Sequence, residues 1–141
     1  MSITFKYKSA KRPDGTLVKI PSIPITLTGK ESLDTVALID SGADISVIPK
    51  VIAEVIGLKF NDESVFAYGI GGKIKATQST AAISISKGHE NYKFNIPVKI
   101  VLDTYEFPVL LGRLGFFDRF LITFDQQEER IVLKSKQKEI F

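Results

Sequence analysis

The sequence predicts an all-β fold, a closed or nearly closed β-barrel that carries one short helix. Three observations predict it. Apolar residues recur mostly at period two, turn-forming clusters interrupt them at short intervals, and one stretch alone, after Pro49, has helical spacing. Many short strands with one helix argue for a sheet closed on itself rather than a parallel sheet with helices on its faces.

The elements follow in order. Ile3, Phe5 and Tyr7 alternate with polar residues, and Pro13-Asp14-Gly15 then turns the chain. Leu17 and Val18 open a second strand. Pro21 and Pro24 interrupt it, which marks an edge or a bulge because proline donates no ladder hydrogen bond, and Ile25 and Leu27 continue it. After a turn over Gly29-Lys30-Glu31-Ser32, Thr35 to Ile39 reads as a short buried strand ending in Asp40-Ser41-Gly42. Pro49 suits a first helical position, Ile52 and Ile56 share one helix face, and Gly57 suits the position just past the helix end. Val65 to Tyr68 leads into a glycine-rich turn and a long strand from Lys73 to Ser86. Gly88-His89-Glu90-Asn91 turns the chain again, and Phe94, Ile96, Val98 and Ile100 line one face of the next strand. Pro108 to Leu111 is a short apolar strand stopped by Gly112, and Leu114 to Phe120 reads as a short helical turn. Leu121 to Phe124, a Gln126-Gln127-Glu128-Glu129 turn and Ile131 to Leu133 make a last hairpin.

The chain has 141 residues, 44% hydrophobic and 25% charged, the balance of one globular domain over 1–141. Cysteine is absent, which excludes disulfides, a thiolate nucleophile and thiolate metal sites. His89 is the sole histidine, so a metal site built on two histidines is excluded; beside Gly88 in an exposed turn, it reads as structural or idle. Chemistry therefore rests on carboxylates, hydroxyls, lysines and backbone. The net charge of +3 is uneven: residues 1–30 carry six cations and one anion, whereas 31–100 and 101–141 each sum to −1. Lys6, Lys8, Lys11, Arg12 and Lys19 read as solvent-facing strand positions. No interleaving of aromatic and basic residues accompanies them, so no nucleic acid partner is expected. No apolar run approaches the ~20 residues of a membrane span. The first residues lack the continuous apolar stretch of a signal peptide. The expectation is a cytoplasmic protein with no membrane partner.

The strongest local feature is Ala37-Leu38-Ile39-Asp40-Ser41-Gly42-Ala43-Asp44. An apolar strand delivers a carboxylate into a tight turn, where Ser41 can hydrogen-bond the turn and Gly42 lets the backbone approach closely. A carboxylate at the end of a buried strand is costly unless something satisfies or uses it. The tripeptide alone reads as an ordinary turn. Two further features change that reading: Pro108-Val109-Leu110-Leu111-Gly112-Arg113 far downstream, and between them Tyr68-Gly69-Ile70-Gly71-Gly72, a glycine-rich hairpin tip. In this order the three resemble the retropepsin-like aspartic proteases, in which a hydrophobic-hydrophobic-Asp-Ser/Thr-Gly-Ala motif, a glycine-rich flap and a hydrophobic-hydrophobic-Gly-Arg motif succeed one another. The resemblance runs from Ile25 to Phe117.

The resemblance implies a closed acid-protease barrel and an aspartic endopeptidase. Such an enzyme needs two carboxylates close enough to share one proton, one acting as base toward a water and the other donating to the peptide carbonyl. The chain holds one Asp-Ser/Thr-Gly: Asp14-Gly15 lacks the hydroxyl residue, and Asp34-Thr35 and Asp103-Thr104 lack the glycine. Given the family, an active enzyme is then a homodimer, with one Asp40 per protomer meeting across a twofold axis. The resemblance makes Asp40 the catalytic carboxylate, with Ser41 and Gly42 orienting it and tying the two active-site loops together. It pairs Asp44 with Arg113 as a support. Ala43, Val47, Ile48 and Leu110 read either as pocket walls or as ordinary core. Gly69, Ile70, Gly71 and Gly72 form the flap tip, and Tyr68 either packs in the core or hydrogen-bonds near the dyad. A peptide or protein substrate would add as a β-strand between flap and barrel floor. Neither a metal nor an organic cofactor is required.

The chain departs from the retroviral pattern in several places. Leu114 stands where retroviral members usually carry a polar residue, which weakens the hydrogen bond expected there. The flap keeps part of the glycine pattern. The chain also runs on as a hairpin over Phe120–Phe141, and the hairpin before Ile20 is longer than the viral pattern. A terminal hairpin from each protomer would replace interleaved termini at the dimer interface; Phe116, Phe117, Phe120 and Phe124 are then either interface or core. Two other functions stand beside the protease: a catalytically inactive dimerisation or peptide-binding module on the same fold, and a basic adaptor that uses residues 1–30 on nucleic acid. The intact Asp-Ser-Gly argues against the first.

Overall fold

The computed structural model describes residues 2–60, 65–69, 72–103 and 108–136. Along the chain the strands are β1 (Ser2–Lys6), β2 (Lys8–Lys11), β3 (Leu17–Ile20), β4 (Ser22–Thr28), β5 (Ser32–Ile39) and β6 (Ser46–Pro49). The helix α1 (Lys50–Val55) comes next, then β7 (Val65–Gly69), β8 (Gly72–Lys87), β9 (Glu90–Val101) and β10 (Val109–Leu111). After a kinked turn over Arg113–Phe117, β11 (Phe120–Asp125) and β12 (Arg130–Ser135) complete the described chain. Among the described residues, six strands close a barrel in the order β4-β5-β10-β6-β9-β8, with β8 returning to β4. The fold is all-β with a closed barrel, as the period-two pattern predicts.

Alternation sets the core. Phe94, Ile96, Val98 and Ile100 all point inward from β9, and Ile83 and Ile85 do so from β8. On β5, Ala37 and Ile39 are buried while Val36 is 46% exposed, so the Thr35–Ile39 stretch is buried on one face only. The closing contact is short: Thr26–Thr28 of β4 pair with Ala82–Ser84 of β8. Pro24 lies in the part of β4 that has β5 alone as a neighbour, where a proline is tolerated.

Two smaller sheets flank the barrel. In the order β1-β12-β11, Ile3 sits opposite Leu133 and Phe5 opposite Ile131, and these four residues are buried in the same core as the barrel. The β2–β3 hairpin forms a sheet of its own. Its turn is held by Asp14, whose Oδ1 accepts from the N–H and the hydroxyl of Thr16 at 2.9 and 2.6 Å. Those bonds hold the Asp14 carboxyl below its ordinary value.

Local expectations are corrected at several points: the Leu17–Leu27 stretch is two strands in separate sheets, β3 and β4, and Ser46–Pro49, not expected as a strand, is β6 of the barrel. Pro49 is the residue before the helix, in extended conformation, rather than its first turn. Gly57, at φ +70°, follows the helix as expected: its N–H donates to Glu54 O and that of Leu58 to Ala53 O, which satisfies the last carbonyls. The Leu114–Phe120 segment is not a regular helical turn, since Leu114 has ψ 122° and Gly115 has φ +87°. A Cβ on Gly115 would lie 3.0 Å from Ile96 and 3.1 Å from Pro97, so close packing on β9 bends the chain there. Asp118 Oδ2 accepts from the Gly115 N–H at 2.9 Å and holds the bend.

The bend buries Phe116 completely, with ring centroids 5.4 Å from Phe120 and 5.9 Å from Phe117. Phe116 and Phe120 are thus core, which resolves two of the four phenylalanines. Phe116→Ala should lower stability by about 3–5 kcal/mol, the usual cost of truncating a buried phenylalanine. Urea denaturation followed by circular dichroism checks it.

Candidate active site

The site is built where β5 ends. Ile39 is buried, so period two turns Leu38 and Asp40 to the opposite face, and both are half-buried. Leu38, Leu110 and Val47 lie side by side across β5, β10 and β6, forming a half-buried apolar row that leads up to Asp40. Ala43 is also half-buried. Ile48 is fully buried, so of the four pocket candidates it belongs to the core.

Beyond Ile39 the chain turns tightly. The Gly42 N–H donates to Asp40 Oδ1 at 2.8 Å, and the Ala43 N–H donates to the Asp40 carbonyl at 3.3 Å. Among the described residues, Oδ2 of Asp40 has no hydrogen-bond partner in its own chain. The carboxylate is thus held through one oxygen by the backbone of its own loop. The exposed Ser41 contributes its carbonyl, which accepts from Arg113 Nη1 at 2.7 Å.

That contact corrects an expectation. Arg113 does support the active-site loop, but through the Ser41 carbonyl rather than an ion pair with Asp44. Among the described residues the ion pairs are Lys50–Glu54 and Asp125–Arg130. The Asp44 carboxylate accepts from the Ile45 N–H at 2.8 Å. The physical reason is reach: the backbone of Arg113 is bonded directly to this loop, which brings its guanidinium over the carbonyl of Ser41.

The loop is laced to the β10 segment residue by residue. The Asp40 N–H donates to the Leu111 carbonyl at 3.0 Å, the Arg113 N–H to Ala43 O at 2.9 Å, and the Leu114 N–H to Asp44 O at 2.8 Å. Leu114 thus makes its bond through the backbone, which needs no polar side chain. Between them the Gly112 N–H donates to Ser46 Oγ at 2.9 Å. A Cβ on Gly112 would fall 2.7 Å from the Ile45 carbonyl carbon and 3.0 Å from the Ala43 and Ile45 oxygens. Only glycine fits at that position. Ser46 is fully buried and is a site residue that sequence reading missed. Its signal is a polar residue in register with Ile48 on the inward face. Leu38 was missed likewise, although it alternates with Ile39 and shares a face with Asp40.

Of the hairpin expected as a flap, the two paired strands are described. β7 pairs with β8 from Val65–Ala76 to Gly69–Gly72, whereas β9 pairs with β8 only from Ala76 onward. The hairpin therefore projects beyond the barrel. Gly72 has φ +101°, a conformation that glycine adopts without strain. Ile70 and Gly71 lie outside the described residues, and of Tyr68 and Gly69 the backbone alone is described. At its base the Leu102 N–H donates to Lys75 O at 3.0 Å and the Lys75 N–H to Asp103 Oδ2 at 3.3 Å.

The model of the retroviral aspartyl protease family matches residues 17–115, from β3 through the Gly112-Arg113 segment. The chain belongs to this family. No curated protein sequence matches it. Among solved structures, it is similar to a retropepsin-like aspartic protease from Rickettsia conorii, at 20% identity and a TM-score of 0.60, over 94% of this chain and 98% of that one. It is also similar to the retroviral protease-like domain of Ddi1 from Leishmania major, at 19% identity and a TM-score of 0.50, over 78% and 84% of the two chains. These likenesses show the fold. β1, β2 and the β11–β12 hairpin lie outside the residues that the family model matches.

Removing the Ser46 hydroxyl leaves the buried Gly112 N–H without its acceptor. Ser46→Ala should cost about 1–3 kcal/mol. Gly112→Ala should be worse, because the backbone of Ala43 and Ile45 would have to move. Thermal unfolding of the two variants beside the parent chain checks both the sign and the order.

Proposed function

We propose that the protein is a homodimeric aspartic endopeptidase, with one Asp40 per protomer forming the dyad. The observation that carries the reading is the single Asp-Ser-Gly at the end of β5. Its carboxylate is oriented by Gly42, and its loop is laced to the Gly112-Arg113 segment. Membership of the retroviral aspartyl protease family supports it.

Two like carboxylates brought together cannot both ionise, so the dyad holds one proton. The ionised member takes a proton from water as its oxygen attacks the peptide carbonyl carbon, and the protonated member donates to the carbonyl oxygen. Collapse of the tetrahedral intermediate breaks the C–N bond, and the leaving amine takes up a proton from the dyad. The half-buried row of Leu38, Val47 and Leu110 favours apolar side chains beside the cleaved bond. The β7–β8 hairpin closes over the bound strand through backbone groups.

The dimer forms through β11. It is the outer strand of its sheet, and it presents Leu121 (56% exposed) and Phe124 (41% exposed) without a proline or lysine to guard the edge. Of the four phenylalanines, Phe124 is the one that lies exposed and serves this interface.

Asp40→Asn should keep the fold and lose cleavage by roughly 10²–10⁴-fold or more, as expected when acid–base catalysis is removed. Digestion of a mixed peptide library from acid to neutral pH measures this. The parent chain should show a bell-shaped profile. Cleavage that survives in the variant overturns the reading, and cleavage by neither protein at dimer-forming concentrations favours a peptide-binding module instead. Phe124→Asp should shift the chain toward monomer in sedimentation velocity, with specific activity falling in step on dilution.

A further inference from the structure

We propose that the exposed face of the β2–β3 hairpin is an exosite that takes an acidic, extended segment of the peptide substrate, outside the cleaved bond. This rests on the peptidase reading above and adds a substrate class to it.

The hairpin has two unlike faces. Ser9 lies opposite Lys19 and Lys11 opposite Leu17, so these four side chains share one face, and all four are exposed. On the other face Ala10, Val18 and Ile20 are half-buried, and Lys8, opposite Ile20, is exposed. The outer face thus presents two ammonium groups around Leu17, which is 71% exposed. Arg12, also exposed, follows at the turn. Among the described residues none of Lys11, Arg12 and Lys19 has an acidic partner. The one acid of the hairpin, Asp14, is engaged by Thr16. The protein's positive charge is concentrated here, since residues 1–30 carry six cations and one anion while the rest of the chain is slightly acidic.

Position gives this face its role. Immediately after β3, the Pro21 carbonyl accepts from the Ile39 N–H at 3.0 Å, and Ile39 is the residue before Asp40. The hairpin therefore springs from the same barrel end as the catalytic loop. Lys19 and Leu17 lie about 7 and 13 Å along an extended chain from Pro21, at ~3.3 Å per residue. A substrate bound as a strand at the cleft spans that distance with about four further residues. Lysines beside a protruding leucine suit a segment that mixes carboxylates with an apolar side chain. A phosphate backbone would use the cations and leave Leu17 in water, and the face offers no aromatic ring for base stacking.

The test uses the Asp40→Asn protein, so that binding is read without turnover. A fluorescent peptide with an apolar core flanked by a run of glutamates is compared, by anisotropy, with its glutamine counterpart. The glutamate peptide should bind about threefold to tenfold more tightly, as two or three exposed charge pairs allow. The advantage should shrink with added salt and vanish in Lys11→Glu/Lys19→Glu. In the active enzyme the same double variant should remove the kcat/KM preference for the glutamate peptide and leave cleavage of the glutamine peptide unchanged. Equal affinities, or an advantage that survives the double variant, would overturn the proposal. So would a single-stranded oligonucleotide that binds this face more tightly than the glutamate peptide does. If no peptide is cleaved, the peptidase reading falls, while the anisotropy comparison still decides whether the acidic segment is bound.

Discussion

Everything at the Asp40 end of the barrel depends on one backbone contact, the lacing of Leu111–Leu114 onto the loop from Asp40 to Ser46. Successive peptide groups bond across it at 2.8–3.0 Å. The approach is possible only because residue 112 has no side chain, since a Cβ there would meet the Ala43 and Ile45 carbonyls of the loop. The lacing fixes the start of the loop through Asp40 and its end through Ser46. The Asp40 carboxylate then needs only the Gly42 N–H to hold it in place. A catalytic carboxylate is best positioned by groups that cannot rotate away, and backbone amides answer to that description better than side chains do.

The same contact explains the order of the barrel. β10 lies parallel to β5 and antiparallel to β6, and so brings two distant parts of the chain together in register. Parallel neighbours need a long crossover, and the chain uses it to build β6, the helix, the β7–β8 hairpin and β9 before β10 returns. The projecting hairpin is β7 paired with the part of β8 that runs on past its other partner β9. The barrel wall and the projecting hairpin are one strand, so a change in the flap is felt at its base, where Leu102 and Asp103 bond Lys75.

Much of this was legible in the residues. Phe94, Ile96, Val98 and Ile100 announced their strand and its buried face, because a two-residue period has one solution when one side is apolar. Asp40-Ser41-Gly42, the glycine-rich tip and Leu111-Gly112-Arg113 announced the site. What escaped depended on neighbours distant in sequence. The segment after Arg113 reads as a short helical turn, but Gly115 is pressed onto Ile96 and Pro97 and the chain bends instead. The partner of Arg113 was misread for the same reason: the lacing, invisible in sequence, decides which acceptor lies within reach.

By itself the sequence determined the fold class, most of the strands with their inward faces, and the lone Asp-Ser-Gly. These are properties of local period and of a count, and neither needs a distant contact. Only the tertiary structure decided that Ser46 completes the loop, that Phe116 and Phe120 are core while Phe124 lies exposed, and that the basic hairpin stands beside the strand bearing Asp40. The physical reason is that burial and hydrogen-bond partnership are settled between strands. Which strands meet is set by barrel closure and by the one glycine that lets two backbones touch.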